Sequence, residues 1–498
     1  MKYIGFDIGS SFVKIGLFDL DKAKVDDVRL EPAPPRLAGE LAASGGRYEV
    51  DAEAIAAIVR KHVLRLVRLH REAVAGIVLA TQMHGFVLAD EHGRAVTPYI
   101  SWQDRRGHER RPDGSGESAA DTLERLLGPG APAQAGLRLK PGLALCNLYR
   151  WLEEHPPGGE RERAREFHTL GSYVLRRLTG AYATHLSSAA ATGLANVACG
   201  HWNEHTIASC GFGFLRFPAI RGETECVGAF RGRYRDIPVF PDIGDHQATV
   251  FGCFARPGED AVATIGTAGL LTRETATWAD AADGWEMRPT IGGSYLRTVS
   301  RLPGGRNLDV LIAFVRTTTA AVTGREPSSA RVWRAALREA EAARAAPVGS
   351  RLPVELGFFP GQLGSGHCVI GPADAANLRL GPLFLGAFDH MAGVYRDMLE
   401  RLGGGEAVAP GDGGIKRLLL SGGVARRSAL LRERLAAVTG LACDLPPYAD
   451  EALAGLFRLA LLCAGVCRTP EETRIMRPET VAPEKERRDD ERRVEEKA

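Results

Sequence analysis

The sequence has little net charge, and this excludes several classes of protein at once. Its 498 residues carry 63 Lys+Arg against 61 Asp+Glu, a formal net charge of +2, so nothing draws the whole chain to nucleic acid or anionic lipid. The most apolar later stretch, residues 452–466, is too short to span a bilayer and is interrupted by Arg458. The N-terminus has no long apolar segment before a small-residue cleavage site. We therefore expect a cytoplasmic protein without a nucleic-acid or membrane partner.

The cysteines show no pattern typical of a disulfide framework or of a metal site. The nine cysteines are odd in number and scattered, and the closest pair, Cys463 and Cys467, has no second Cys/His pair at metal-site spacing. We expect reduced, mostly buried thiols. The sequence also lacks a G-x-x-x-x-G-K-[ST] segment and a G-x-G-x-x-G segment after a strand, so neither a P-loop nor a dinucleotide-binding fold is supported.

Strand and helix signals alternate along the chain. Residues 3–8 and 13–20 predict a β-hairpin, residues 52–70 carry apolar side chains at helical spacing, and residues 75–80 predict a compact apolar strand. Hydrophobic residues (45%) and charged residues (25%) occur at ordinary fractions, which excludes a disordered or fibrous chain. The alternation favours an α/β fold, and the length allows two large domains or about three smaller ones.

A second strand-turn-strand pattern, at residues 261–273, resembles the opening hairpin, with a small, glycine-bearing turn in each. This faint internal duplication predicts two halves that meet near residue 244. The last fifteen residues, 484–498, are almost entirely charged, with both signs mixed. Such a segment cannot bury a core, so we predict a frayed or solvated tail.

The turns of these two hairpins are candidates for binding phosphate. Asp7 ends the first strand directly before Gly9-Ser10-Ser11, and Lys14 follows on the returning strand. Small residues let backbone N–H groups approach phosphate oxygens, and a carboxylate at a strand end can hold hydrated Mg²⁺. Gly266-Thr267 offers a second such turn. Each turn alone is more typical of an ordinary hairpin, but two in corresponding places favour a nucleotide held between paired domains.

A further carboxylate follows an apolar segment. Asp245 lies beside Gly244 where a helix is predicted to begin, and there it can face a cleft and accept a hydroxyl proton. A simple helix N-cap is the alternative.

Polar and aromatic residues of the kind that hold a polyol follow two other strand segments. Met83-His84 comes after the strand at residues 75–80, and Trp102-Gln103-Asp104 follows another short apolar run. A packed Trp or His with a satisfied polar tip is the alternative. Later, a strand at residues 417–420 enters Gly422-Gly423, with a helix from about Ser428, and this lets an adenosine approach the backbone. A plain strand-to-helix turn explains the glycines equally well.

Taken in order, these segments resemble the FGGY carbohydrate kinases of the actin-like ATPase superfamily, over about residues 1–468. The order and spacing of the set carry the resemblance, because each member alone is weak. The segments are Gly5-Phe-Asp7-Ile-Gly9-Ser-Ser11, Gln82-Met-His-Gly85, Trp102-Gln-Asp-Arg105, Gly244-Asp245-His-Gln-Ala248, Gly266-Thr267 and Ser421-Gly422-Gly423.

The resemblance implies an α/β protein with two actin-like (ribonuclease H-like) domains and a central cleft for ATP, Mg²⁺ and sugar. It implies a sugar-binding domain at residues 1–243, a nucleotide-binding domain at 244–483 and a tail at 484–498. It says nothing about oligomeric state, and a homodimer stays open.

The resemblance also implies roles for individual residues. Asp245 would be the base, and Asp7 would position metal or phosphate; both are candidates for holding Mg²⁺. The sugar would contact Met83, His84, Trp102, Gln103, Asp104 and Asp245. The nucleotide would contact Gly9, Ser10, Ser11, Lys14, Gly266, Thr267, Gly422, Gly423 and Ala425.

Two motifs narrow the substrate that the resemblance implies. Gln-Met-His-Gly resembles sedoheptulokinases and xylulokinases, whereas Trp-Gln-Asp-Arg resembles sedoheptulokinases and glycerol kinases. We therefore expect phosphorylation of a primary hydroxyl of a ketose, with sedoheptulose first and D-xylulose second. A non-catalytic sugar or nucleotide sensor is the alternative from another class, and an actin-like ATPase acting on protein partners ranks last.

The sequence departs from the family pattern in three places. His185 stands where the family often has Asp, Gly171-Ser172 replaces the usual Lys-Asp before Tyr, and Arg427 replaces a common Asn. The first two departures concern positions that the resemblance assigns to domain packing and to sugar binding. The third concerns the position that would contact the purine of the nucleotide.

Overall fold

The structure is a computed structural model that describes residues 1–38, 46–111, 114–128, 130–281, 284–345, 351–359, 367–403 and 414–480. The predicted charged tail, 484–498, lies outside the described residues. Within them, strands and helices alternate around two large β-sheets, as the α/β prediction requires.

The first half of the chain supplies fifteen strands and eight α-helices to the described structure. The strands are β1 (Lys2–Ile8), β2 (Phe12–Asp19), β3 (Lys24–Pro32), β4 (Glu49–Val50), β5 (Val74–Thr81), β6 (Val87–Ala89), β7 (Tyr99–Ile100), β8 (Glu166–His168), β9 (Ala183–His185), β10 (Ala195–Asn196), β11 (His201–Trp202), β12 (Ala219–Arg221), β13 (Gly228–Arg231), β14 (Asp236–Val239) and β15 (Ile243–Gly244). The helices are α1 (Ala52–His70), α2 (Ala119–Leu127), α3 (Gly130–Gln134), α4 (Ala144–Glu154), α5 (Gly159–Arg163), α6 (Leu170–Thr179), α7 (Leu186–Ala190) and α8 (Glu204–Ser209).

The second half continues the alternation. Its described strands are β16 (Asp260–Ile265), β17 (Gly269–Thr275), β18 (Glu286–Pro289), β19 (Tyr295–Leu302), β20 (Val354–Glu355), β21 (Val369–Ile370), β22 (Arg417–Ser421), β23 (Ala442–Asp444) and β24 (Glu479–Thr480). Its helices are α9 (Asp245–Gly252), α10 (Gly305–Thr323), α11 (Ser329–Ala343), α12 (Leu380–Leu402), α13 (Gly423–Arg427), α14 (Ala429–Thr439) and α15 (Glu451–Cys463). In the described part of the chain, no helix is both long and apolar enough to cross a membrane.

The first sheet has the strand order β13-β14-β5-β1-β2-β3-β24, and β15 also pairs with β5. The predicted opening hairpin is confirmed, since β1 pairs antiparallel with β2. Strands β1 and β15 both run parallel to β5, where Ala80 pairs with Asp7 on one side and with Ile243 on the other. Carboxyl ends of parallel strands lie at the same edge of a sheet. The segments that follow β1, β5 and β15 therefore emerge side by side.

The second sheet repeats this plan in the order β18-β19-β17-β16-β22-β23. Strands β16 and β17 form an antiparallel hairpin, β19 lies antiparallel beyond β17, and β22 runs parallel to β16. The first sheet shows the same relations among β1, β2, β3 and β5. The internal duplication that the two hairpins suggested is therefore present in the topology.

Helices α9 and α15 join the two halves. The backbones of the two helices touch: a Cβ on Gly455 would lie 1.9 Å from the carbonyl oxygen of Ala248, and a Cβ on Gly252 would lie 1.7 Å from that of Glu451. Helix α15 then packs on the first sheet, where Phe457 contacts Phe18 with ring centroids 5.9 Å apart. Late in the chain, β24 also rejoins this sheet beside β3.

The close contact between α9 and α15 at Gly455 leads to a prediction about stability. Replacing glycine by alanine should have opposite effects on the free energy of unfolding at Gly455 and at Gly393, which lies outside the contact. Gly455→Ala should lower the free energy of unfolding by about 2 kcal/mol, because the methyl group must push two backbones apart. Gly393→Ala, within α12, should raise it by up to about 1 kcal/mol, since a Cβ there meets no heavy atom within 4 Å and alanine favours helix over glycine. Urea unfolding of both variants tests this, and equal effects would contradict the described helix contact.

Candidate active site

Three residues predicted to act on substrates lie at one edge of the first sheet. Asp7 is near the end of β1, His84 follows β5, and Asp245 follows β15, and these three strands are adjacent and parallel. The charge of Asp7 contributes to raising the pKa of Asp245, which places the two carboxylates within electrostatic range. The central cleft that the resemblance implies remains a prediction.

Asp245 is the first residue of α9 and not its cap. The N-cap is Gly244, which offers no side-chain cap, so the simple capping alternative for Asp245 does not hold. One carboxylate oxygen, Oδ1, accepts a hydrogen bond from the His246 amide at 2.8 Å. Burial and the nearby charge of Asp7 raise the pKa of Asp245 to about 7. A carboxylate whose pKa lies near the working pH is well matched to accepting a proton.

Lys14 connects the first hairpin to the far end of the chain. Its Nζ lies 3.3 Å from Oδ2 of Asp7 and 3.0 Å from Oδ2 of Asp450. Burial raises the pKa of Asp7, and Lys14 opposes this shift. Asp450 caps α15 by accepting from the Leu453 amide at 3.1 Å. No local pattern marks Asp450 as a site residue, because only the return of α15 to the first sheet brings it to Lys14.

Asp7 and Asp245 are too few to hold a metal ion with protein side chains alone, but two carboxylates are enough for Mg²⁺. In the described residues, no three His, Cys, Asp or Glu side chains form a group able to hold a metal. Magnesium typically takes one or two carboxylates and completes its shell with water and substrate phosphates. Two half-satisfied, mutually repelling carboxylates fit that requirement. Asp7 and Asp245 would hold the ion, and its charge would neutralise phosphate oxygens.

The two predicted phosphate turns are closed by backbone hydrogen bonds and remain accessible. In the first, the Gly9 amide donates to the Phe12 carbonyl at 3.1 Å. In the second, the Gly266 amide donates to the Ala268 carbonyl at 3.2 Å, and the start of α10 supports the turn through Gly305 N–H to Gly266 O at 2.8 Å. Ser11 and Thr267 are exposed, while Gly9, Ser10 and Gly266 are half-buried. The hydroxyl groups of Ser11 and Thr267 are thus available on the two turns, whereas the Gly9 and Gly266 amides are already bonded within them.

The predicted nucleoside turn lies at the same edge of the second sheet as the second phosphate turn. Strands β16 and β22 run parallel, with Thr264 paired to Ser421. Gly422 has a φ of +90°, and a Cβ there would lie 2.6 Å from the Ile265 carbonyl oxygen, so the close approach of the two turns requires glycine. Gly423 is half-buried and next to it.

Two other residues of the nucleoside segment differ from each other in exposure. Ala425 is fully buried in the core of the second half, and its carbonyl accepts from Arg432 at 2.7 Å. Its predicted contact with nucleotide remains a prediction. Arg427 is exposed, and its guanidinium lies over Gly423, since a Cβ on that glycine would come within 3.1 Å of Nη1.

His84 is held neutral and in one tautomer. Its Nδ1 lies 2.6 Å from the Ala191 carbonyl oxygen, which only accepts, so Nδ1 carries the proton and Nε2 is left as an acceptor. Burial, then the charges of Lys140 and Arg288, lower the pKa of His84 to about 3. Its φ of +71° is a strained backbone conformation for histidine. Met83 beside it is buried, and both residues line a small cavity with Arg288.

In the segment Trp102-Gln103-Asp104, Trp102 is exposed and Asp104 is buried. Trp102 is 45% exposed, which leaves a flat apolar surface for a polyol, and Gln103 is half-buried. Asp104 is fully buried, and its carboxylate accepts from the Tyr48 amide at 2.7 Å and from three N–H groups of Arg106 at 2.8–3.0 Å. These four bonds fill its acceptor positions. Asp104 therefore holds this turn in place, and a direct contact with sugar remains a prediction.

A row of buried charged side chains, which the sequence did not predict, lies beside Asp245. Lys140 Nζ donates to Glu286 at 2.5 Å, Arg288 donates to the other oxygen of Glu286 at 2.7 Å, and Arg288 Nη1 donates to His246 Nδ1 at 3.1 Å. Burial lowers the pKa of His246 well below its usual value, so the ring is neutral. The row joins the first half to the second, and no short motif in the sequence marks it.

Asp242 lies beside two of the segments that depart from the family pattern. It is fully buried on the strand side of Asp245 and accepts from Thr184 Oγ1 at 3.0 Å. A Cβ on Gly171 would lie 2.0 Å from its Cγ, so the glycine makes room for this carboxylate. His185 caps α7 through its Nδ1, which accepts from the Ser187 amide at 3.2 Å. Asp242 thus occupies the space beside Gly171 and binds the residue that precedes His185.

Comparison with known proteins gives the family and the fold. Residues 2–252, just over half of the chain, match the FGGY family of carbohydrate kinases, N-terminal domain. The chain belongs to the FGGY family of carbohydrate kinases. The xylulose kinase structure from Rhodospirillum rubrum superposes with a TM-score of 0.79 at 19% identity, covering 97% of this chain and 94% of that one. The predicted fold class, two actin-like domains, is confirmed.

Several FGGY relatives are similar in sequence over part of their length. The apulose kinase of Pectobacterium atrosepticum is 29% identical over 238 residues, covering 45% of this chain and 46% of the relative. The xylulose kinase of Escherichia coli is 25% identical over 276 residues, covering 54% and 53%. The chain thus spans about half the length of the curated relatives it matches.

The raised pKa of Asp245 leads to a prediction about stability. In the unfolded chain this carboxyl ionises near pH 4, whereas in the folded FGGY chain it keeps its proton until about pH 7. The contribution to folding is complete below the unfolded pKa and is lost as the pH rises through the folded pKa. Asp245→Asn has no proton to lose and should be about 2–4 kcal/mol more stable than wild type at pH 8 without Mg²⁺.

Urea unfolding in EDTA at several pH values checks this. The advantage of Asp245→Asn should vanish near pH 4, where both forms are neutral. The exposed Asp309, replaced by Asn, serves as the control and should show no such trend. An advantage that does not change with pH would contradict the described electrostatics.

Proposed function

We propose that this FGGY member is an ATP-dependent kinase that phosphorylates a hydroxyl of a small sugar. The observation that supports this best is the convergence of Asp7 and Asp245 at one sheet edge. We further propose that residues 1–243 bind mainly the sugar and residues 244–483 mainly the nucleotide, with the cleft between them. ATP with Mg²⁺ is the implied phosphoryl donor.

The proposed mechanism relies on positioning and on neutralising charge, because phosphoryl transfer has a loose transition state. Asp245 accepts the hydroxyl proton as the oxygen attacks the terminal phosphorus, while the bond from that phosphorus to the bridging oxygen breaks and ADP leaves. Lys14, held between Asp7 and Asp450, places a positive charge beside the first phosphate turn. The exposed hydroxyls of Ser11 and Thr267, on the two phosphate turns, donate to phosphate oxygens. Neutral His84 accepts a hydrogen bond from a sugar hydroxyl at Nε2, and this orients the acceptor.

For the acceptor we propose a ketose, with sedoheptulose first and D-xylulose second. The paired motifs around Met83 and around Gln103 support this order, and the exposed face of Trp102 suits a polyol chain. Similar proteins are named as kinases of apulose, xylulose and glycerol. These acceptors belong in the same test.

Replacing the proposed base, Asp245, should slow phosphoryl transfer without weakening sugar binding. Asp245→Asn should lower kcat by about 10²–10⁴-fold, the usual contribution of a general base, while sugar binding stays within a few-fold of wild type. Coupled ADP release and calorimetric titration of the sugar measure the two quantities. Asp309→Asn should leave both unchanged. Near-normal turnover in Asp245→Asn would remove this residue from the role of base.

A substrate panel tests the acceptor. We expect kcat/KM to fall in the order sedoheptulose, D-xylulose, D-ribulose and glycerol, since a hydroxyl that is missing, or that has the opposite configuration as in D-ribulose, leaves a polar group of the site unpaired. Sugar-dependent ADP release supports the kinase. Thermal stabilisation by sugar without any release would instead identify a sensor, and a preference for glycerol would reverse the order.

A further inference from the structure

Arg427 covers the turn at which the sequence predicts the nucleoside to bind. Helix α13 follows Gly422, begins at Gly423 and ends at Arg427. Residues four apart on a helix lie on the same face, so Arg427 is on the face that Gly423 also occupies. The predicted nucleoside turn therefore has a long cationic side chain above its glycines.

The guanidinium of Arg427 leans over this turn with its plane. A Cβ on Gly423 would lie 3.1 Å from Nη1, 3.3 Å from Nη2 and 3.4 Å from Cζ. Because Cζ is hardly farther away than the two nitrogens, the plane lies over the glycine and does not point its nitrogens at it. Arg427 is exposed, so the outer face of the plane is open to solvent. A second planar group can lie against that face.

Arg427 differs from two other arginines of this region in having no partner of its own. Arg426 donates to Oε1 of Glu451 at 2.5 Å. Arg306, near the start of α10, has its guanidinium carbon 3.8 Å from the centre of the Phe359 ring. Among the residues that the structure describes, the side chain of Arg427 makes no hydrogen bond and no ion pair. The fold therefore uses the first two arginines and leaves Arg427 available to a ligand.

The second phosphate turn lies next to the turn that Arg427 covers. Strands β16 and β22, which lead into the two turns, are paired, and paired strands lie about 4.8 Å apart. The start of α10 packs against both turns, since the Gly305 amide donates to the Gly266 carbonyl at 2.8 Å and a Cβ on Gly305 would lie 2.9 Å from Val424. A nucleotide whose phosphates bind at Thr267 therefore has its base within reach of Arg427.

A guanidinium and a carboxamide recognise a base in different ways. The carboxamide of Asn, the residue common at this position in the family pattern, can bond the edge of adenine with one donor and one acceptor, which distinguishes adenine from guanine. A guanidinium stacks on the face of an aromatic ring. Every base has such a face, so stacking does not distinguish adenine from guanine. The two fused rings of a purine offer a larger face than the single ring of a pyrimidine.

We propose that Arg427 stacks on the base of the phosphoryl donor, and that this chain accepts purine nucleoside triphosphates without distinguishing ATP from GTP. The proposal rests on the proposed function, because it takes the turn at Gly422 as the nucleoside site. It extends that function from ATP to a class of donors. Arg427 thereby acts as a residue that sets the specificity for the base.

Calorimetric titration of the full chain with Mg²⁺ tests the proposal. The probes are the β,γ-imido analogues of ATP, GTP and UTP, which are not hydrolysed. The ATP and GTP analogues should bind within about fivefold of each other. Each should bind at least about fivefold more tightly than the UTP analogue, the difference expected when a cation stacks on the larger ring at an exposed site.

Variants at Arg427 separate stacking from charge. The side chain is exposed, so the variants should melt at the wild-type temperature. Arg427→Ala should weaken binding of both purine analogues by about five- to tenfold, and binding of the UTP analogue by less. Arg427→Lys keeps the charge but loses the plane, and it should behave like the alanine variant. Arg325→Ala removes an exposed arginine beyond the end of α10 and should leave all three affinities unchanged.

Several results would overturn the proposal. A preference for the ATP analogue over the GTP analogue of more than about fivefold would do so, and so would equal binding of all three analogues. Wild-type purine binding in a folded Arg427→Ala variant would also overturn it. Wild-type binding in Arg427→Lys would assign the side chain to the phosphate groups, which contradicts stacking.

Failure of the proposed kinase gives a different result. Binding of both purine analogues, with no sugar-dependent release of ADP or GDP from the triphosphates, would remove the kinase and leave the purine site. Release of ADP from ATP, with GTP bound more than about fivefold more weakly, would leave the kinase and remove the role of Arg427. If none of the three analogues binds, both proposals are wrong.

Discussion

Repulsion between two carboxylates is the constraint around which this site is organised. Parallel pairing of β1 and β15 on either side of β5 forces Asp7 and Asp245 to one edge, and neither side chain can move away without breaking the sheet. The folded chain tolerates the pair because Asp245 holds its proton and Lys14 faces Asp7. Two neighbouring carboxylates of this kind lower the stability of the folded chain and raise its affinity for a cation. This agrees with the proposed Mg²⁺ between the protein and the phosphate groups.

The two halves of the chain meet through contacts of very different kinds. Helices α9 and α15 touch at Gly252 and Gly455, where backbone meets backbone and no side chain can give way. Lys140 and Glu286 meet as a buried ion pair, which loses its benefit if the partners separate. The two halves are thus held together by close backbone packing at one place and by a buried ion pair at another.

Some motif residues have tasks that the motif does not reveal. Asp104 lies in the best-defined sugar segment, yet its carboxylate is filled by donors from Tyr48 and Arg106. Asp242 belongs to no motif, yet it is fully buried near Asp245 in the chain and accepts a hydrogen bond from Thr184. The role of a polar residue in this site therefore depends on its partners in the fold, which a motif does not show.

The sequence by itself determined the local elements and the family, because hydrophobic periodicity and turn residues are short-range signals. Helix α1 has the predicted bounds, Ala52–His70, and both hairpins and the strand at β5 lie where expected. Only the tertiary structure decided the partners. Asp450 reaches Lys14 because α15 returns to the first sheet, and Arg288 reaches His246 across 42 residues. Contacts of that separation depend on strand order and helix packing, which no local pattern of residues encodes.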